Sequence, residues 1–93
     1  MITGETTSGY HFEIDETRFD DFEVLDAIAD MDSGVPTRLI SGLSTFLVKV
    51  LGVDGRKALY DHVRTQDGRV PTENVRTEVR EILTAGGEQA KKF

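Results

Sequence analysis

The sequence predicts a mainly α-helical protein, a small four-helix domain with a short β-strand near its N-terminus. Apolar residues recur at spacings of three and four in several segments between residues 19 and 83, which is the period of an amphipathic helix. Apolar and polar residues alternate in one short stretch, residues 10–15. A chain of 93 residues has room for one hydrophobic core. We therefore interpret residues 1–93 as a single domain and expect flexible polar termini at residues 1–8 and 87–93.

The alternating stretch predicts a half-buried strand. Tyr10, Phe12 and Ile14 would face the core, and the polar residues between them would face solvent. A lone strand leaves its backbone unpaired, so three arrangements stay open. The strand could pair with residues 1–3 across a turn at Gly4, pair with another chain, or lie extended over the helices.

A first helix is predicted around residues 19–31. Its apolar positions at helical spacing are Phe19, Phe22, Leu25, Ile28 and Ala29. Asp20, Asp21 and Glu23 fall in the first turn, where the helix dipole favours negative charge. Gly34 suits a left-handed cap after the helix, and Pro36 disfavours helical geometry at the residue before it.

The central helix is predicted at residues 36–51 and carries the longest apolar run. Pro36 lies in its first turn, and Gly52 is expected to close it. Its apolar face is formed by Leu39, Ile40, Leu43, Phe46, Leu47, Val50 and Leu51. This face is broad enough to contact at least two other elements, so we expect this helix to form the centre of the core. Because Arg38 and Lys49 interrupt the run, it does not predict a membrane span.

Two shorter helices are predicted in the second half. Asp54 is a suitable N-cap for a third helix at roughly residues 55–65, with Leu59 and Val63 facing inward. A fourth helix is predicted to start at residues 70–72. Its inward stripe consists of Val75, Val79, Ile82 and Leu83.

The residue types offer no catalytic, cofactor or metal site. The chain has no cysteine, which excludes disulfides and thiolate chemistry. His11 and His62 fall in different predicted elements without metal-ligand spacing. Adjacent Asp20 and Asp21 would point apart on a helix, and the acidic run at residues 30–34 lacks the later ligands of a calcium loop. We therefore expect a protein that is not an enzyme.

Charge is distributed unevenly along the chain. The net charge is −6, which argues against a general nucleic-acid binder. Residues 1–34 hold ten acids and one base, a net −9, whereas residues 35–93 hold ten bases and seven acids, a net +3. Two interpretations follow: solvated helix faces of opposite character, or a surface for an oppositely charged partner. The N-terminus lacks the pattern of a secretory signal, so the cytoplasm is the expected compartment.

Four stretches carry a resemblance to a known family. They are F-E-I-D-E at residues 12–16, D-F-E-V-L-D-A-I-A at 21–29, the apolar helix ending V-L-G at 50–52, and K-A-L-Y-D-H-V at 57–63 running into D-G-R-V-P. In this order they resemble the short tail assembly chaperones of long-tailed bacteriophages, especially those of Gram-positive hosts. The likeness covers residues 12 to about 83.

The resemblance implies a function. Proteins of this family hold the helix-rich tape measure protein soluble until tail tube subunits polymerise around it, and they have no active site. The implied location is the cytoplasm of the infected bacterium, with no place in the mature virion. The charge distribution adds weak head-to-tail self-association as an expectation. The candidate partner-binding residues are the acids Asp21, Glu23 and Asp26 and the bases Arg56, Lys57 and Arg64.

Two alternatives belong to other classes. Nine acids between residues 13 and 32 favour an acidic helical antirepressor or DNA mimic, although they show no regular phosphate-like spacing. Asp32 and Ser33 before a helix also resemble the Asp-Ser-Leu attachment site of acyl carrier proteins. Gly34 replaces the leucine, and Pro36 follows, which makes this interpretation weaker.

Overall fold

The computed structural model describes residues 1–86, and residues 87–93, expected to form a flexible end, lie outside this part. The described elements are β1 (Ile2–Glu5), β2 (His11–Ile14), a 3₁₀ turn (Glu16–Phe19), α1 (Phe22–Met31), α2 (Pro36–Val63) and α3 (Thr72–Ala85). The prediction of a mainly α-helical protein is confirmed. Helices α1 and α3 both pack on α2, which places the predicted core helix at the centre.

The N-terminal strand pairs within the chain. β1 and β2 form a two-stranded antiparallel sheet in which Ile2 lies opposite Ile14 and Gly4 lies opposite Phe12. Pairing inside the chain was one of the three open arrangements. The turn is not at Gly4 as that arrangement proposed; it runs through residues 6–10, which follow β1. Residues 2–5 of the segment expected to be a loose terminus therefore form a strand.

Helix α1 begins and ends close to the predicted signals. The Asp21 carboxylate accepts a hydrogen bond from the backbone N–H of Glu23 at 2.9 Å and so caps the N-terminus. Past the C-terminus, Gly34 has φ of 78°, the left-handed geometry that favours glycine. Phe19, expected inside this helix, lies instead in the 3₁₀ turn before it and is buried there.

The buried face of α1 differs from the predicted stripe. Val24 and Ala27 are buried, with Ile28 and Met31 half-buried behind them. Phe22 is 76% exposed and Ala29 is exposed as well, so the predicted inward positions are wrong at both. The helix starts only after the Asp21 cap, and its orientation is determined by close packing of Ala27 on α2.

The predicted second and third helices correspond to the two arms of α2, which meet at a sharp break. Gly52 has φ of 81° and ψ of 170°, which interrupts the helical geometry at the predicted stop. The backbone returns to helical geometry immediately, so Asp54 lies inside α2 and does not cap a separate helix. With α2 taken as one element the described residues contain three α-helices, and the predicted break between the second and third helices is present at Gly52. Ile40 was also expected in the core, but it is 57% exposed.

The core lies between the three helices and the sheet. Its largest fully buried side chains include Phe19, Phe46, Leu47, Leu59 and Ile82, which come from the 3₁₀ turn, both arms of α2 and α3. The predicted α3 stripe is confirmed, with Leu83 half-buried at its edge.

Candidate functional site

A surface cavity with mostly apolar lining residues lies where α2 folds back on itself. It encloses about 370 Å³ and is lined by Ile40, Leu43, Ser44, Tyr60, Val70, Thr72 and Val75. In a straight helix Ile40 and Tyr60 would be about 30 Å apart, because each residue adds 1.5 Å. They share one cavity because the bend at Gly52 brings the second arm of α2 alongside the first. We call this cavity the α2 groove.

One cation borders the α2 groove. The Arg56 guanidinium donates a hydrogen bond from Nη1 to Ser44 Oγ at 2.8 Å and lies 5.8 Å from the centre of the Tyr60 ring. The hydrogen bond to Ser44 joins the two arms of α2. Among residues 1–86, no carboxylate forms an ion pair with Arg56, so its charge is available to a ligand. The site therefore combines an apolar floor with a positive rim.

Two of the predicted partner-binding acids are engaged inside the molecule. Lys49 Nζ lies 2.9 Å from Asp21 Oδ2 and 3.1 Å from Glu23 Oε1. The hydrogen bond from Lys49 lowers the pKa of Asp21, and the same two carboxylates raise the pKa of Lys49. This cluster fastens the start of α1 to the first arm of α2. Asp26, the third predicted acid, is exposed and forms no ion pair with residues 1–86.

Two of the predicted bases likewise share one internal partner. Lys57 Nζ lies 3.2 Å from Asp61 Oδ2, and Arg64 Nη2 lies 3.0 Å from Asp61 Oδ1. Hydrogen bonds from Arg64 and then Lys57 lower the pKa of Asp61. Arg64 also donates to the Gly68 carbonyl at 3.0 Å. Of the three predicted bases, Arg56 is the one whose contacts lie on lining residues of the α2 groove.

A cavity of about 480 Å³, lined mostly by residues with polar side chains, lies on another side, beside the hairpin turn. Glu78 is 2% exposed, and its Oε1 accepts a hydrogen bond from Thr6 Oγ1 at 3.0 Å and another from Ser8 Oγ. Glu81 Oε1 accepts from the backbone N–H and the hydroxyl of Thr7 at 2.8 and 2.7 Å. These bonds fasten the hairpin turn to α3.

Ser8, His62 and Glu78 meet in this cavity, but the pattern of hydrogen bonds among them does not suit nucleophilic catalysis. His62 Nε2 lies 3.0 Å from Ser8 Oγ and 3.1 Å from the Ser8 carbonyl oxygen. A carbonyl only accepts hydrogen bonds, so Nε2 carries the proton and cannot also take one from Ser8. Glu78 bonds to Ser8 itself, whereas a catalytic acid would orient the histidine. The trio is suited to anchoring the turn.

Glu78 is not among the residues predicted from the sequence, although its position in the sequence contains a signal. Glu78 follows Val75 by three residues and precedes Ile82 by four, so it falls on the inward stripe of α3. A charge on that stripe requires buried hydrogen-bond partners. Its partners at Thr6 and Ser8 are some seventy residues away in sequence, which no local pattern indicates.

Ser33, the candidate attachment site, has a structural role in the turn before α2. Its hydroxyl donates to the Asp30 carbonyl at 2.8 Å and accepts from the Val35 backbone N–H at 3.2 Å.

In residues 1–86 no cluster of three or more histidine, aspartate or glutamate side chains could hold a metal ion. Within the same range, no helix combines the length and apolar character that crossing a membrane requires.

Comparison of the chain with protein-family models, with curated proteins and with solved structures finds no match. The function of the protein must therefore be inferred from its own surface. Of the two cavities described above, the α2 groove is the one that combines apolar lining residues with a cation that has no ion-pair partner among residues 1–86.

Proposed function

We propose that this protein is a phage tail assembly chaperone that binds the tape measure protein and keeps it soluble while the tail tube assembles. The observation that carries the proposal is the open α2 groove on a small helical domain. A tape measure protein presents long apolar helical stripes that aggregate unless they are covered. An apolar groove with a polar rim is a common receptor for one face of such a helix.

The chemistry of the groove supports this choice of ligand. Leu43 and Val75 form its floor, and the exposed side of Ile40 would be covered by an apolar side chain of a client helix. Arg56 at the rim would pair with an acidic residue beside the client's apolar stripe. The contact area would be small, so binding by each copy would be weak.

Weak binding suits a chaperone that tail tube subunits must displace. Many copies along one tape measure protein would supply avidity without slowing release of any single copy. In this proposal the protein acts in the cytoplasm of the infected bacterium, is left out of the mature virion and performs no catalysis.

The proposal is tested by co-expression with the tape measure protein of the same phage. We expect the wild-type chain to keep most of the client in the soluble fraction, and Ile40→Glu to lose this effect, because a carboxylate would then occupy the apolar groove. Val53→Glu is the matched control: Val53 is 62% exposed and lies outside the lining of the groove. The soluble and pelleted client are compared by gel after centrifugation.

A variant that tests whether the acids of α1 bind the client should reverse the charge of Asp26 alone. Reversing Asp21 or Glu23 would remove the helix cap or the Lys49 ion pairs and so would confuse binding with folding.

A client that stays insoluble with the wild-type chain would refute the proposal. Salt-sensitive binding to a basic DNA-binding protein would instead favour the antirepressor or DNA mimic. A phosphopantetheine arm on Ser33, detected by intact mass, would favour the carrier protein.

A further inference from the structure

One large apolar side chain stands on the surface at the start of α1. Phe22 is 76% exposed, although exposing an aromatic ring forgoes the stabilisation of burial. Its backbone is held firmly, because Asp21 caps the helix and Lys49 bridges Asp21 and Glu23. The ring is therefore presented from an ordered helix terminus and not from a loose segment.

Two further acids near Phe22 have no ion-pair partner among residues 1–86. Asp20 precedes it, and Asp26 lies one helical turn further on the same face. Both are exposed, and neither forms an ion pair with any of residues 1–86. We call Phe22 with Asp20 and Asp26 the α1 knob.

The α2 groove has the complementary properties. Its lining is mostly apolar, and its volume of about 370 Å³ has room for an aromatic ring. Three acids lie close to its lining residues in sequence, but Asp61 pairs with Lys57 and Arg64. Asp67 pairs with Arg69 at 2.7 Å and Glu73 with Arg76 at 3.9 Å. The charge left without a counterion beside the groove is that of Arg56. An apolar ring flanked by carboxylates matches this surface in shape and in charge.

We propose that the α1 knob of one copy docks in the α2 groove of a second copy, with Phe22 in the groove and Asp20 and Asp26 facing Arg56. Phe22 is not among the residues that line the groove of its own chain, so a second copy must provide the ring. The two surfaces of the contact differ and lie on different elements. In a pair joined in this way, one copy keeps a free groove and the other keeps a free knob. Further copies can therefore add at either end, and the assembly extends into an open chain or closes into a ring.

This contact bears on the proposed function without depending on it. A client helix and a second copy would compete for the same groove, so self-association would cover the apolar surface of the free chaperone. The experiment below uses only this chain, so its failure would leave the co-expression result to decide the chaperone proposal independently.

Complementation between two variants tests the contact. Phe22→Ala removes the knob and keeps the groove, whereas Ile40→Glu blocks the groove and keeps the knob. Sedimentation velocity over a range of concentrations should show self-association of the wild-type chain weakened at least about tenfold in each variant, as for loss of a central aromatic anchor. Val53→Glu is the control, because Val53 is exposed to a similar extent as Ile40 but lies outside the groove. This variant should associate like wild type.

The decisive sample is the mixture of the two variants. The intact knob of Ile40→Glu fits the intact groove of Phe22→Ala, and neither chain can extend the complex further. We expect a 1:1 heterodimer, identified by native mass spectrometry with one variant labelled with ¹⁵N. Circular dichroism of each variant should match wild type, since both side chains are exposed.

Three results would overturn the proposal. The wild-type chain could remain monomeric at millimolar concentration, Phe22→Ala could associate as strongly as wild type, or the mixture could stay monomeric. The last result, with self-association lost in each variant alone, would indicate a symmetric contact in which both copies use the same surface.

Discussion

The two phenylalanines of the first two helices show how one residue type takes opposite roles. Phe46 lies in the middle of α2 with an exposed fraction of 0%, and its ring centre is 6.3 Å from that of Phe19. Phe22 lies in the first turn of α1 and is largely exposed. Both fall on apolar helical patterns in the sequence, so the pattern alone does not separate a core residue from a surface anchor.

Substituting each of them by alanine should separate the two roles. We expect Phe46→Ala to lower the free energy of unfolding by about 3–5 kcal/mol, the cost of emptying a fully buried aromatic site. This is a large part of the stability of a domain of this size. Phe22→Ala should change it by less than about 0.5 kcal/mol, as at other exposed sites. Urea titrations followed by circular dichroism measure both, and similar losses for the two variants would contradict the assigned burial.

The residues that sequence reasoning located correctly are those whose role is local. Gly34 after α1 and Pro36 at the start of α2 each act on backbone within a few positions. The partners of Glu78 and the shared use of Lys49 by α1 depend on packing between distant segments. For this reason the sequence indicated the candidate charges but not which of them are already neutralised inside the molecule.

At the scale of elements, the packing of α1 on α2 depends on two small residues, Ala27 and Gly42. A Cβ atom added to Gly42 would stand 2.5 Å from the backbone oxygen of Ala27 and 3.0 Å from Met31 Cγ. The missing side chain lets the two helices approach closely and turns Ala27 inward. The predicted stripe assumed a helix continuous from Phe19. The 3₁₀ turn and the Asp21 cap break that continuity, which is why the stripe wrongly included Phe22.

Gly42→Ala should therefore destabilise the protein, although alanine is the better helix former by about 0.5–1 kcal/mol. The neighbouring atom is backbone, which cannot rotate away, so we expect overpacking to cost about 1–3 kcal/mol. For a domain of this length that corresponds to a fall in Tm of roughly 4–8 °C per kcal/mol. Ser41→Ala, at the adjacent exposed position of α2, is the control and should leave Tm unchanged or slightly higher. An equal or higher Tm for Gly42→Ala would exclude the close approach.

The bend in α2 limited the prediction in a different way. The sequence indicated a helix stop at Gly52 and a new start close by, and the backbone does break there. No linker separates the arms, because helical geometry resumes at the next residues. The consequence for the surface is larger than for the helix count. Folding back places Tyr60 beside Ile40 and Ser44, so the α2 groove arises from a long-range arrangement that no single segment encodes.

For the whole molecule, the uneven charge of the sequence is partly neutralised by contacts between segments. Lys49 of α2 forms ion pairs with two of the N-terminal acids. The uncharged hairpin turn of residues 6–10 is separately joined to Glu78 and Glu81 of α3 by hydrogen bonds. Several of these contacts exist only while the carboxylates are ionised. The fold as a whole should therefore weaken in acid.

The direction in which stability changes with pH follows from the pKa shift of each carboxyl group. Hydrogen bonds from the Thr7 hydroxyl and then its backbone N–H lower the pKa of Glu81 below its ordinary value of 4.5, and Lys49 lowers that of Asp21 below 3.8. As the pH falls below these ordinary values, the unfolded chain binds protons before the folded one does. The stabilisation is thus complete above about pH 4.5 and is lost as the pH falls through the lower folded-state values.

We expect the free energy of unfolding, measured by urea titration at a series of pH values, to stay nearly level from neutral pH to about 4.5 and then to decline. Thr7→Val supplies the matched comparison, because it keeps every charge but removes the hydroxyl that contributes most to the low pKa of Glu81. This variant should be less stable than wild type at neutral pH, and the difference should shrink in acid as Glu81 becomes protonated in both proteins. A difference independent of pH would mean that Thr7 acts through packing alone and that Glu81 does not link the hairpin turn to α3 through its charge.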